Sequence, residues 1–171
     1  MNKGFEDAAR TLDADILAIQ ETKLQDHQLT RPMTHLADYS AYWSHCTTKK
    51  GYSGVGVYTR HTPLSVRHGI GEPRFDEEGR ILELDFGRFV FFNVYFPNGQ
   101  MGDERLRYKL DFYEAFFAYA DRYKNEGRRV VVTGDYNTAH NDIDLKNPRA
   151  NAKTSGFLRI ERDWLDRITA D

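Results

Sequence analysis

The stretch Val130-Val131-Val132-Thr133-Gly134-Asp135-Tyr136-Asn137-Thr138-Ala139-His140 decides the fold. Three valines followed by β-branched Thr133 read as a fully buried strand. Gly134 then permits a tight backbone. Asp135 and Asn137 follow at i and i+2. If the chain stays extended past Gly134, the two side chains point to one face. A carboxylate and a carboxamide would then sit side by side at a strand end, where open α/β sheets place their ligands. Such a pair offers an acceptor or base beside a group that both donates and accepts hydrogen bonds. A strand followed by an Asx-type turn is the plainer reading, and these residues alone leave both open.

Working outward from this strand, Arg105 to Lys124 reads as a long helix. Leu106, Leu110, Tyr113, Phe116, Phe117 and Ala120 form its apolar stripe, and Gly127 follows its end. Ahead of it, Ile81–Phe86 alternates, Gly87-Arg88 makes a hairpin turn, and Phe89–Phe96 forms the next strand, stopped by Pro97-Asn98-Gly99. Val55–Arg60 reads as a strand, with an edge strand expected near Leu64–Arg67 and another over Tyr39–His45. Phe5, Ala8, Ala9 and Leu12 recur at helical spacing, and Ile16–Gln20 is an apolar run of strand length. A helix feeding a buried strand is the second half of a βαβ-like unit. Gly69–Gly79 and Asp142–Ser155 are expected to be loops, and Glu161–Ile168 begins a last helix.

The 171 residues suit one domain, and 40% aliphatic and aromatic content suffices for a core. Twenty-four Lys and Arg against 26 Asp and Glu give a net charge of −2, so any nucleic-acid binding needs a local basic patch. A single cysteine, Cys46, excludes an intrachain disulfide and a multi-cysteine zinc site. No apolar run approaches a membrane span and no signal region opens the chain, so a soluble intracellular protein is expected.

Three strands end in polar clusters: Gln20-Glu21-Thr22-Lys23, then Tyr95 and Asn98, then Asp135 and Asn137. If the strands are neighbours running the same way, these groups converge on one rim. One or two carboxylates with amides and a phenol suit a hydrated Mg²⁺ and a phosphate.

The blocks Gln20-Glu21-Thr22-Lys23, Gly51-Tyr52-Ser53-Gly54-Val55, Glu78-Gly79-Arg80, Asn93-Val94-Tyr95-Phe96-Pro97-Asn98-Gly99, Gly134-Asp135-Tyr136-Asn137-Thr138-Ala139-His140, Asp144-Leu145-Lys146-Asn147-Pro148 and Ser155-Gly156-Phe157 come in this order. Together they resemble the exonuclease III / apurinic-apyrimidinic endonuclease family of the endonuclease–exonuclease–phosphatase superfamily, over nearly the whole chain. The resemblance implies an α+β fold: a four-layer α/β-sandwich, two mixed sheets flanked by helices. Against the family pattern it is incomplete, a single domain over 1–171 lacking the first strand, with its Asn, and the C-terminal part, with its Ser-Asp-His.

By resemblance, Glu21 is the Mg²⁺ ligand, with Mn²⁺ as a substitute. Asp135 orients or deprotonates the attacking water, Asn137 holds the phosphate or that water, and Tyr95 and Asn98 contact the phosphate. Lys23, Tyr52, Arg80 and Lys146 are expected to bind DNA. The implied reaction cleaves the phosphodiester 5′ to abasic sites in double-stranded DNA and trims 3′ ends, as in base excision repair. A fragment that binds DNA without cleaving it, and a superfamily phosphodiesterase with another substrate, are the alternatives. The implied location is cytoplasmic in a bacterium and nuclear in a eukaryote.

Overall fold

The computed structural model describes residues 4–170. In chain order the elements are α1 (Phe5–Leu12), β1 (Ile16–Gln20), α2 (Arg31–Thr34), β2 (Ser40–Ser44), β3 (Val55–Thr59), β4 (Ser65–His68), α3 (Pro73–Asp76), β5 (Ile81–Asp85), β6 (Val90–Tyr95), α4 (Asp103–Asn125), β7 (Val130–Asp135), α5 (Pro148–Asn151) and α6 (Arg159–Thr169). Short 3₁₀ turns sit at Asp26–Gln28 and Asp142–Asp144. The expected loops over 69–79 and 142–155 therefore carry α3 and α5, single turns that Pro73 and Pro148 start by fixing φ in the first turn.

The chain divides into two compact units, Met1–Tyr95 with Tyr119–Asp135, and Phe96–Ala118 with Tyr136–Asp171. In the first unit, β1, β3 and β2 form an antiparallel sheet in that order, and β4, β5, β6 and β7 form a second. Only the second sheet is mixed, because β6 and β7 are parallel and joined through α4 while its other pairs are antiparallel. Val55 and Val57 on β3 meet Leu82, Leu84 and Phe91 between the sheets. On the outer face of the first sheet, Ala9, Leu36, Tyr39 and Tyr58 pack with Phe5 and Leu17. On the outer face of the second, Phe92 packs against Tyr119 and Tyr123 from the end of α4. Adjacent residues of β6 thus serve opposite cores, Phe91 inward and Phe92 outward, as a period of two requires. This sequence of helix, sheet, sheet and helix is the four-layer order.

β7 differs from the buried strand expected of three valines. Val131 is 43% exposed and the other two are half-buried, because β7 ends the sheet order and pairs only with β6 among the described residues. β1 is likewise half-buried throughout at the edge of its sheet.

The second unit is built on aromatics. Phe96 lies edge-on to Phe112, Tyr113 and Phe116 and stacks on Tyr136 at 4.4 Å. Tyr113 stacks in turn on Trp164 of α6 at 4.2 Å. Beneath these rings Lys109 and Glu161 form an ion pair at 2.7 Å, both fully buried.

Candidate active site

The first unit gathers one polar rim. Asn93, buried within β6, accepts a 2.7 Å hydrogen bond from the Gln20 amide and donates to the carbonyls of Ile19 and Gly56. It ties the end of β1 to the second sheet, where β1 lies across β6 and β7. Glu21 follows Gln20 directly. On β6, Tyr95 lies two residues beyond Asn93 and is in register with Asp135 of β7. Parallel pairing of β6 with β7 makes both strands end together. Glu21, Tyr95 and Asp135 are therefore brought to the same edge.

The loop after β1 is held against the turn before β3. Thr22 and Lys23 donate backbone hydrogen bonds to Gly54 and Ser53. Glu21 and Lys23 both adopt positive φ, 52° and 55°. Such conformations cost about 1–3 kcal/mol each and gather at functional sites. Lys23 pairs with Glu21 at 3.1 Å, each about half exposed, a contact worth roughly 0–1 kcal/mol. Lys23 in this structure thus faces the carboxylate beside it.

Arg80 is only 2% exposed, which corrects the expectation of a DNA-backbone contact from its side chain. Its guanidinium donates to the Tyr95 carbonyl, the Tyr52 hydroxyl and Glu78. It also lies 4.8 Å from the Tyr95 ring centre, and the Arg80 carbonyl accepts the Tyr95 N–H. A planar, permanently charged fork suits this many partners at once. Arg80 sits behind the rim and fixes Tyr95 and Tyr52 in place. Lys49 covers the Tyr52 ring at 4.8 Å. Lys146 is exposed, in the segment after the Asp142–Asp144 turn.

Asn98 and Asn137 belong to the second unit. The Asn98 Oδ1 accepts the Gln100 N–H at 2.8 Å, an Asx turn, while the residue itself is exposed. The Asn137 amide donates to the Phe96 carbonyl at 2.8 Å, and its backbone has φ 50°. The strand stops at Asp135, so the extended backbone expected to align Asn137 with Asp135 is not formed. The plainer turn reading describes the local backbone here. Tyr136, between them, is half-buried and stacked on Phe96, and its partial desolvation raises its phenol pKa. His140, just beyond, pairs with Asp166 at 2.7 Å and holds that carboxyl below its ordinary pKa.

Among the described residues, no group of three or more His, Cys, Asp or Glu side chains is placed to hold a metal ion. Mg²⁺ and Mn²⁺ are commonly held by one or two carboxylates and several waters. The exposed Glu21 carboxylate fits a largely hydrated cation of that kind and not a closed cage.

Sequence reasoning missed Asn93, Lys109 and Glu161. Two carried a signal. Asn93 interrupts the apolar run Phe91-Phe92-Asn93-Val94, and Lys109 lies on the apolar stripe of α4, three residues after Leu106 and four before Tyr113. A polar group on a core face needs buried partners.

Residues 2–170 match the Endonuclease/Exonuclease/phosphatase family, and the chain belongs to it. More particularly, it is 41% identical over 156 residues to an exodeoxyribonuclease of Bacillus subtilis, covering 91% of this chain and 60% of that one. It is 39% identical over 169 residues to the DNA repair nuclease APEX1 of Danio rerio, covering 98% and 54%. The chain thus spans 54–60% of the length of these two relatives. Among solved structures, the catalytic domain of Xenopus laevis APE2 superposes with a TM-score of 0.82 at 26% identity, covering 98% of this chain and 63% of that one. An AP endonuclease from Archaeoglobus fulgidus shares the fold with a TM-score of 0.85 at 24% identity, covering 97% and 63%. No helix among the described residues is long and apolar enough to cross a membrane.

Proposed function

We propose that the chain is the phosphodiesterase part of a DNA-repair nuclease of the exonuclease III type. Its reaction is hydrolysis of the phosphodiester 5′ to an abasic site in duplex DNA, with removal of nucleotides or blocking groups from 3′ ends, as in base excision repair. The observation that supports this most is the register of Tyr95 with Asp135 at the end of the parallel pair, with Glu21 at the neighbouring strand end. An intracellular location follows from such a substrate.

In this reading Asp135 accepts a proton from water as its oxygen attacks phosphorus. The bond from phosphorus to the 3′ oxygen breaks, and that oxygen leaves as a 3′-hydroxyl once protonated. The phosphate stays on the abasic side. Tyr95, locked by Arg80, donates to a phosphate oxygen as charge grows there. The Asn137 carboxamide exchanges its Phe96 contact for the phosphate or the water, and Asn98 adds a donor. Glu21 would hold the Mg²⁺, and Lys23, which pairs with Glu21 in this structure, would turn to the DNA backbone with Tyr52 and Lys146. Mg²⁺, once bound, supplies Lewis-acid neutralisation of phosphate charge.

The test is nicking of an abasic-site duplex with Mg²⁺, with chelator, and with Asp135→Asn. Metal-dependent incision lost in both controls supports the proposal. Because the chain spans little more than half of its relatives, salt-sensitive duplex binding without cleavage is the specific rival outcome. Hydrolysis of a non-nucleic phosphodiester with intact abasic DNA would favour a different substrate within the family.

A further inference from the structure

The second unit contains a buried charged network whose contacts run to the backbone that carries Asn137. Lys109 on α4 donates to the Asn137 carbonyl, the Thr138 hydroxyl and Glu161, each at 2.7 Å. Glu161 accepts in turn from the Ser155 hydroxyl and from the N–H groups of Gly156 and Leu158. Both charges are fully buried. Gly156 closes the circuit, since its carbonyl accepts the Ala139 N–H at 2.9 Å. Alongside, the Tyr113 hydroxyl donates to the Tyr136 carbonyl and contacts Thr138.

Burying an ion pair is expensive and often contributes little net stability, so stability alone explains this arrangement poorly. What it does supply is geometry. An ammonium with three fixed acceptors specifies where the backbone of residues 137 and 138 lies. Asn137 sits at φ 50°, left-handed backbone that asparagine adopts more readily than most non-glycine residues, and the Lys109 contact holds it there.

We infer that Lys109 is a positioning residue for phosphodiester hydrolysis: clamped by Glu161, it sets the backbone of Asn137 and so aims the Asn137 carboxamide. The inference rests on the proposed role of Asn137 and concerns the residue that orients it. With its side chain fully buried, Lys109 would act through Asn137 and not on the phosphate itself. Misplacing an aligned group by about 1 Å costs on the order of a hundredfold in rate. Lys109→Met removes the ammonium while keeping an unbranched apolar stem of similar length.

The experiment measures steady-state incision of an abasic duplex by the wild-type chain, Lys109→Met, Asn137→Ala and the double variant, below each one's melting temperature. The expected result is kcat lowered roughly ten- to a hundredfold in Lys109→Met, with KM for the duplex within about twofold. Lys109→Met should add nothing once Asn137 is Ala, because both losses act through one side chain. Effects that multiply in the double variant, or a wild-type kcat in Lys109→Met, overturn the inference.

A readout independent of activity separates this from the nuclease proposal. NMR should show the Asn137 side-chain amide resonances shifted in Lys109→Met and faster hydrogen exchange at the Ala139 N–H. If wild-type protein cleaves nothing while these signals change, the orienting contact stands and the nuclease reading fails. If they stay unchanged, the inference fails whatever the activity. Should Lys109→Met not fold, Lys109→Arg keeps the charge with a bulkier fork; the same loss of kcat, Asn137 shifts and double-variant non-additivity are expected in smaller measure, and their absence refutes it.

Discussion

Gly134→Ala tests the junction on which the rim depends. Gly134 pairs with Val94 one step before Asp135 pairs with Tyr95. Its φ is 146°, and an added Cβ would lie 1.8 Å from the Val94 carbonyl oxygen, where ordinary contact begins at 3.4 Å. The shortfall is 1.6 Å, and the obstacle is backbone that no rotamer change can move. Relief requires the ends of β6 and β7 to part by about a third of their normal spacing of about 4.8 Å. That strains or breaks one or two ladder hydrogen bonds, each worth about 1 kcal/mol. The unfavourable φ adds about 1–3 kcal/mol. The sum is a loss of about 2–5 kcal/mol, or roughly 4–20 °C in melting temperature at this chain length. Urea titration followed by circular dichroism measures it, with Gly127→Ala as the control. Gly127 has φ 76° but nothing within 4 Å of its Cβ position, so it reports backbone strain without the clash. A Gly134→Ala loss below about 1 kcal/mol, or one no larger than the control's, would refute the reasoning.

Three further outcomes follow from buried polar groups in the first unit. Tyr123→Phe removes a 2.7 Å donor from the buried Glu83 carboxylate, whose other phenolic donor is Tyr119, and should cost about 1.5–3 kcal/mol by urea titration; a loss below about 0.5 kcal/mol contradicts the contact. Burial pushes the Tyr58 phenol up to about 12, so its folded-state pKa exceeds its unfolded value near 10. Its contribution to stability is therefore complete below about pH 10 and lost as pH rises through about 12, and Tyr58→Phe should flatten the alkaline stability curve in that window. Arg128, hydrogen-bonded to Asp85, holds that carboxyl below its ordinary pKa. The resulting stability is present above about pH 4 and lost as pH falls through the lowered value, and Arg128→Ala should shrink that acid-side loss in pH-dependent unfolding curves.

Much of the fold was legible because its strands and long helix follow strong patterns. The alternation of Ile81–Phe86 and the stripe on α4 place both elements within two residues of their ends. The valine run was misleading for a physical reason. Residue type records how apolar a strand is, whereas exposure depends on how many neighbours it pairs with, and β7 has one among the described residues. Single turns such as α3 and α5 are too short to carry periodicity. At the rim, the motifs marked Glu21, Tyr95 and Asp135; the pairing of β6 with β7 brings the last two together, and the Gln20–Asn93 contact brings the end of β1 to them. The motif at Arg80 could not distinguish a side chain facing DNA from one facing inward onto Tyr95, because both uses call for the same guanidinium. Asn137 shows the same limit in the backbone. Its spacing from Asp135 suggested a shared face, and a positive φ three residues after Gly134 removes it.

Paramagnetic broadening by Mn²⁺ is the most direct measurement of whether the gathered carboxylates form a cation site. Substoichiometric Mn²⁺ added to the isotope-labelled chain should selectively broaden the amide resonances of Glu21, Tyr95 and Asp135 together, and Glu21→Ala should abolish that effect. Broadening centred elsewhere, or unchanged in Glu21→Ala, would contradict the account.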